Sequence, residues 1–213
     1  MTGTVAIIDY GIGNVQSIKN ALNNFDVDVI LSHDRDSILN ADGVILPGVG
    51  AFKKAIAQLK DRELDEVIRE FVGSGKPFLG ICLGMQLLFE TSEEFGISDG
   101  LGIIKGKVIR LPVSGQTKLP HISWNSIDKS IIPWGNTILE SISNHEDFYF
   151  VHTFVCVPES AMNILATSEY GGVTFCAAVK EQNIYGCQFH PEKSAESGLK
   201  IIQGFVGRVN QNK

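Results

Sequence analysis

The chain has 213 residues, of which 44% are hydrophobic and 20% charged, a composition of soluble globular protein with room for one well-buried core. Its formal net charge of −6 argues against nucleic acid or an anionic membrane as partner, because both favour clustered Lys and Arg. No apolar run approaches the roughly 20 residues of a membrane helix. The start lacks the basic region of a secretory signal, so a cytoplasmic location is expected.

The first half alternates short apolar runs with helical patterns. Val5 to Asp9 predicts a strand, Gly11-Ile12-Gly13 a tight turn, and Asn14 to Asn24 a helix. Strands follow at Val27 to Leu31 and Gly43 to Pro47, the latter ending in Pro47-Gly48-Val49-Gly50. Helical spacing runs from Ala51 to Val72 with a break near Asp61, and Lys76 to Ile81 predicts a fourth strand. Strands alternating with helices imply βαβ units and a parallel sheet covered on both faces.

The second half changes character. Ile104 to Leu111, Leu119 to Ile127, Phe148 to Val157, Met162 to Ser168, Val173 to Lys180 and Asn183 to Phe189 predict strands, and helical spacing returns only at Ser194 to Val209. The expected fold is α/β. One domain spans residues 1–213, with a mixed, mostly parallel central sheet flanked by helices and antiparallel strands added in the C-terminal half.

Gly80-Ile81-Cys82-Leu83-Gly84 follows an apolar strand and precedes a helical run, Met85 to Phe89, which is the setting of a nucleophile elbow. A turn this tight has no room for a Cβ on either side of the nucleophile. Cys82 then sits at a helix N-terminus, where the dipole and free N–H groups favour the reactive thiolate. The N–H of Leu83 points where an oxyanion would form. Cys156, Cys176 and Cys187 lie in apolar strand-like runs without flanking glycines and read as buried small hydrophobes. Cys187 and His190 have a C-x-x-H spacing, but no second ligand pair completes a four-ligand site, so no metal is expected.

An acyl transfer through a thiolate needs a proton carrier for the leaving group. Among the five histidines, His33 and His145 lie in polar, loop-like surroundings, and His121 and His152 in strand-like segments where a satisfied core or rim position explains them. His190 ends an apolar strand and precedes Pro191 and Glu192. A residue before proline is pushed toward extended backbone, and extended residues two apart face the same way. Glu192 can therefore hold the His190 imidazole, completing a nucleophile, base and orienting acid.

With these two constellations in one chain, the sequence resembles class I (triad) glutamine amidotransferases through Gly80-Ile81-Cys82-Leu83-Gly84-Met85-Gln86 and Gln188-Phe189-His190-Pro191-Glu192. Asp9-Tyr10-Gly11-Ile12-Gly13-Asn14, Leu46-Pro47-Gly48-Val49-Gly50, Pro120-His121-Ile122-Ser123-Trp124-Asn125 and Tyr149-Phe150-Val151-His152-Thr153-Phe154 narrow the resemblance to the glutaminase subunits of imidazole glycerol phosphate synthases, of histidine biosynthesis. One departure is visible: Ile122-Ser123 stands where that family more often has Met-Gly.

The resemblance implies that Cys82 attacks the glutamine carboxamide to form a thioester, that His190 protonates departing ammonia and later activates water, and that Glu192 orients His190. It implies glutamine binding by Gly50, Gln86, Glu94, Thr153 and Phe154, and a second oxyanion donor from Val49 and Gly50. It further implies a (β/α)8-barrel synthase partner in a heterodimer that receives the ammonia, faced by Asn14, His121, Trp124 and Lys180. No cofactor is implied, and no ATP-binding loop is present in the sequence. The residues leave three other readings open: the same glutaminase serving another synthase, for example in surface-sugar amination; a stand-alone cysteine hydrolase of γ-glutamyl compounds; and a non-catalytic regulatory subunit.

Overall fold

The computed structural model describes residues 2–211. In chain order, β1 (Gly3–Ile8), α1 (Val15–Leu22), β2 (Val27–Ser32), α2 (Arg35–Asn40), β3 (Gly43–Leu46), α3 (Phe52–Asp61), α4 (Leu64–Gly73), β4 (Phe78–Ile81) and α5 (Leu83–Leu87) form the first half. The second half contributes β5 (Phe89–Ser92), β6 (Ser98–Asp99), β7 (Ile104–Arg110), β8 (His121–Lys129), β9 (Glu146–His152), β10 (Phe154–Pro158), β11 (Ile164–Tyr170), β12 (Val173–Glu181), β13 (Ile184–Cys187) and α6 (Ala195–Gln211).

Nine strands form the main sheet in the order β2-β1-β3-β4-β13-β12-β11-β8-β9. The pairings from β2 to β13 are parallel and those from β13 to β9 antiparallel, so the sheet is mixed as expected, with the change of sense at β13. β1 shows why its parallel half is an unbroken apolar run: Val5 and Ile7 face one core, shared with Ile18 and Leu22 of α1 and Phe205 of α6. Ala6 and Ile8 face the other, shared with Phe52 of α3 and Phe71 of α4. A strand buried on both faces has no polar side to alternate with. The break near Asp61 is real: α3 stops at Arg62, and Glu63 turns left-handed (φ 57°) before α4 begins.

Three segments differ from the sequence expectation. The helix after the elbow ends at Leu87, and the chain turns directly into β5, whose Phe-Glu-Thr-Ser composition suits a strand. Phe148 to Val157 is not one strand: it breaks at Thr153, leaving β9 in the main sheet and β10 in a second sheet of order β10-β7-β5-β6. The added strands therefore build two sheets rather than one. The helix α2 is additional to the expected elements. Its signal was an Asp34 N-cap, whose carboxylate accepts from the Ser37 N–H at 2.9 Å, followed by Ile38 and Leu39.

Candidate active site

The elbow is made by glycines at backbone crossings. A Cβ at Gly84 would lie 2.0 Å from the Leu46 carbonyl oxygen, and one at Gly80 would lie 2.7 Å from that of Gly84. A Cβ at Gly48 would meet the Gly84 nitrogen at 2.7 Å. The ends of β3 and β4 and the start of α5 are thus pressed together at van der Waals limits. Between them Cys82 adopts φ 54°, ψ −110°, a backbone state costing about 1–3 kcal/mol for a non-glycine residue. It is pinned there by its N–H bond to the Cys187 carbonyl (2.7 Å). α5 has only five residues, so its N-terminal dipole is weaker than that of a full helix. As the first residue of α5, Leu83 has an N–H with no intrahelical acceptor.

β13 runs parallel to β4 with Cys187 beside Ile81, so the residues just beyond each strand meet at the same end of the sheet. This register brings His190 to Cys82, although they are more than a hundred residues apart. The His190 backbone is tied to β9: its N–H donates to the Tyr149 carbonyl (3.0 Å), and its carbonyl accepts from Ser194 Oγ (2.7 Å). His190 Nδ1 and Glu192 Oε1 are 2.8 Å apart, with both side chains buried. The geometric reason differs from the extended pair expected: Pro191–Lys193 form a 3₁₀ turn, and it is this turn that folds the carboxylate back onto the ring. The other ring nitrogen, Nε2, is buried without a protein hydrogen-bond partner. Burial, the largest influence, opposes a charged ring, but the neighbouring Cys82 sulfur and the hydrogen-bonded Glu192 carboxylate outweigh it and raise the His190 pKa to about 10.

Cys82, His190, Leu83, Val49, Gly50 and Gln86 share one cavity of about 640 Å³, which Glu94, Thr153 and Phe154 also line. Gln86 is buried, and its Nε2 donates to the Phe154 carbonyl and to Gln188 Oε1, both at 3.0 Å, leaving its own oxygen to accept. Glu94 accepts from the Phe52 N–H at 2.6 Å, so one carboxylate oxygen caps α3 while the residue borders the cavity. Gly50 carries φ +91° in open space and Val49 is exposed, so the loop after β3 forms a free rim. Beneath it, Tyr10 Oη donates to the Pro47 carbonyl at 2.8 Å, and Gly13 lies against the Pro47 ring, so the first turn of the chain supports the rim from below.

The four residues expected on a partner face do not share one. Trp124 is half exposed and packs edge-on against Tyr149 (centroids 6.1 Å), over which Lys193 Nζ lies at 6.0 Å. Lys193 also lines the cavity. Asn14, partly buried, precedes α1 at the same end of the sheet, next to the C-terminus of β1. His121 is fully buried, stacked on Tyr170 with centroids 4.0 Å apart, so it cannot touch a docking partner. It belongs to the core, as the strand reading allowed. Lys180 pairs with Tyr185 near the start of β13 and borders Pro77, at the opposite end of the sheet from Cys82. Spacing along the chain hid this, because an antiparallel strand carries its two ends to opposite poles. Lys193, for which the local sequence carries no signal, lines the cavity that holds Cys82 and His190.

His152 completes the wall. Its Nδ1 donates to the Phe154 carbonyl (3.0 Å) and its Nε2 meets His121 Nδ1 (3.0 Å). Burial, then the charge of His121, lowers its pKa to about 3, so the ring is neutral. Cys156, Cys176 and Cys187 are all buried thiols, and burial pushes the pKa of each upward. This fits their reading as small hydrophobes.

A family model described as "Glutamine amidotransferase class-I" matches residues 6–208. The chain belongs to the class-I glutamine amidotransferases. Curated relatives within the family include the imidazole glycerol phosphate synthase subunit HisH 1 of Legionella pneumophila (strain Lens), 46% identical over 95% of this chain and 98% of that protein. The HisH 2 subunit of Vibrio vulnificus (strain YJ016) is also 46% identical, over 98% and 96%. The HisH of Syntrophotalea carbinolica is 44% identical, over 94% and 98%. Among solved structures, PurLQS from Thermotoga maritima superposes with a TM-score of 0.73 at 19% identity, covering 97% of this chain and 99% of that one. That likeness concerns the fold alone. Among the described residues, no helix of this amidotransferase is long and apolar enough to cross a membrane.

Proposed function

We propose that this chain, residues 1–213 as one domain, is the cytoplasmic glutaminase subunit of an imidazole glycerol phosphate synthase. In this reading it hydrolyses L-glutamine and passes the ammonia to a (β/α)8-barrel partner, which makes imidazole glycerol phosphate and AICAR. One observation carries the chemistry: the strained Cys82 and the Glu192-held His190 meet in one cavity. The HisH names of the relatives support the pathway.

Cys82 attacks the carboxamide carbon as thiolate, and the oxyanion is taken by the Leu83 N–H and by the Val49–Gly50 peptide. His190 gives its Nε2 proton to the departing ammonia as the C–N bond breaks. Water then attacks the thioester, its proton passes to His190, the C–S bond breaks and the thiolate returns. Gln86, through its free oxygen, and Glu94 receive the substrate ammonium, with Gly50 and the Thr153–Phe154 backbone lining the rest. The Phe154 carbonyl is already filled by Gln86 and His152, so it serves by holding them.

The rim at Val49–Gly50 is free to change peptide orientation, since glycine crosses φ space cheaply. If the isolated subunit has this donor turned away, its turnover falls by about 10²–10³. The test measures ammonia release with and without candidate barrel subunits, using Cys82→Ala as control. Stimulation by the histidine-pathway barrel is expected. Stimulation only by another synthase would move the chain to that synthase, and equal turnover without any partner would favour a stand-alone hydrolase. Wild-type activity in Cys82→Ala would exclude the proposed chemistry.

A further inference from the structure

Gln188 stands between the glutamine-binding wall and the nucleophile, fully buried, directly after β13 and two residues before His190. Its Oε1 accepts from Gln86 Nε2 at 3.0 Å, and its Nε2 donates to Cys82 Sγ at 3.8 Å. The direction of this chain of contacts is dictated by the backbone. The Phe154 carbonyl can only accept, so the Gln86 atom 3.0 Å from it is the NH₂ group. The same nitrogen faces Gln188, so Gln188 must offer its oxygen there, which turns its own NH₂ toward the sulfur. His152 Nδ1 donates to the same Phe154 carbonyl, filling its second lone pair. Reversing both amides would set oxygen against oxygen at Phe154 and an amide oxygen against the sulfur.

We propose that Gln188 is a positioning residue of the reaction: it holds the Gln86 amide with its oxygen toward the substrate and donates a hydrogen bond to the Cys82 sulfur whenever that sulfur is anionic. The proposal rests on the glutaminase reading above. Hydrogen bonds to a charged partner are about twice as strong as neutral ones. The donor therefore matters most at the two moments when sulfur carries charge. In the first half-reaction the thiolate electron pair becomes the S–C bond and the N–H···S contact weakens. In the second, water attacks the thioester, His190 takes the water proton, the C–S bond breaks and sulfur recovers its electron pair. The Gln188 N–H receives that charge as it forms, so losing it slows thioester hydrolysis. The Gln86 contact ties the same side chain to substrate binding, which links nucleophile and pocket through one amide.

The test uses Gln188→Glu and Gln188→Met in the full-length chain. Gln188→Glu keeps the side-chain volume and shape but replaces the donor NH₂ by a carboxylate oxygen. The readout is the pH profile of Cys82 alkylation by iodoacetamide, mapped by mass spectrometry, alongside kcat and KM for glutamine with the barrel subunit. Both variants should displace the alkylation profile upward by about one pH unit, lower kcat about tenfold and accumulate thioester. Gln86→Met should raise KM and leave the alkylation profile in place. Thermal melts identify a variant that has lost its fold, and the comparison is then read from the isosteric Gln188→Glu. Profiles of the Gln188 variants that coincide with the unsubstituted chain, or an equal shift in Gln86→Met, would overturn the proposal. The expected shift in a chain that releases no ammonia with any barrel subunit would support Gln188 as the sulfur's donor and sink the glutaminase reading. Normal ammonia release with an unshifted profile would do the reverse.

Discussion

His190 lies between the Cys82 sulfur and the Glu192 carboxylate, and both favour a proton on its ring. Burial alone would leave the ring neutral, yet Cys82 and Glu192 keep it protonated up to about pH 10. The alkaline limb of kcat/KM, which reports the free enzyme, should therefore lie near pH 10 and not near the ordinary histidine value. The limb of kcat should lie lower, because sulfur has lost its charge in the thioester. Glu192→Gln should bring both limbs down and reduce kcat by about 10²–10⁴. Rate profiles measured from pH 6 to 10.5 check this, and a free-enzyme limb near 6.5 would contradict the ion pair. Folding stability follows the same proton. A raised pKa contributes stability fully below about pH 6.5, and that contribution is lost as pH rises toward 10. The residue types of the proposed triad could be read from the chain. The 3₁₀ turn that joins His190 to Glu192 could not, since Pro191 is compatible with both an extended and a turn continuation.

At the level of elements, the crossing of β3, β4 and α5 sets the site. Gly84→Ala places a methyl 2.0 Å from the Leu46 carbonyl, a backbone atom that cannot swing away. The expected cost is about 1–3 kcal/mol or more in urea unfolding, with loss of glutaminase as the Pro47–Gly50 loop is pushed from Leu83. Gly73→Ala, in the last turn of α4 with open space around its Cβ, serves as the control and should leave both measurements near wild type. Equal stability of Gly84→Ala and wild type would show that the crossing has room for a methyl group. The glycines were legible because tight turns demand them. The break at Thr153 was not: Phe148 to Val157 is strand-forming throughout, and only the competition of two sheets for its halves divides it.

For the whole molecule, the proposed partner is expected to dock where side chains reach the pole that holds Cys82 and His190. Exposed Trp124 and Lys193 flank the half-buried Tyr149, and Lys193 lines the cavity. Trp124→Ala should weaken binding of the barrel subunit about 10- to 100-fold, the range of an aromatic anchor, without changing the melting temperature. Lys180→Ala should leave affinity unchanged, since Lys180 sits at the far pole. Titration calorimetry of both variants against the barrel subunit checks the pair, and the opposite pattern would place the interface elsewhere.

By itself the sequence determined the α/β class, the elbow around Cys82, and His190 with Glu192 as its partners, because each depends on local residue type: apolar runs, glycines at a crowded turn, a histidine at a strand end. Tertiary structure decided that His121 is core, that Lys193 and not Lys180 faces the cavity, and that Gln188 reaches the sulfur. Those outcomes follow from strand order and register, which bring distant segments side by side through hydrogen bonds that no local pattern encodes.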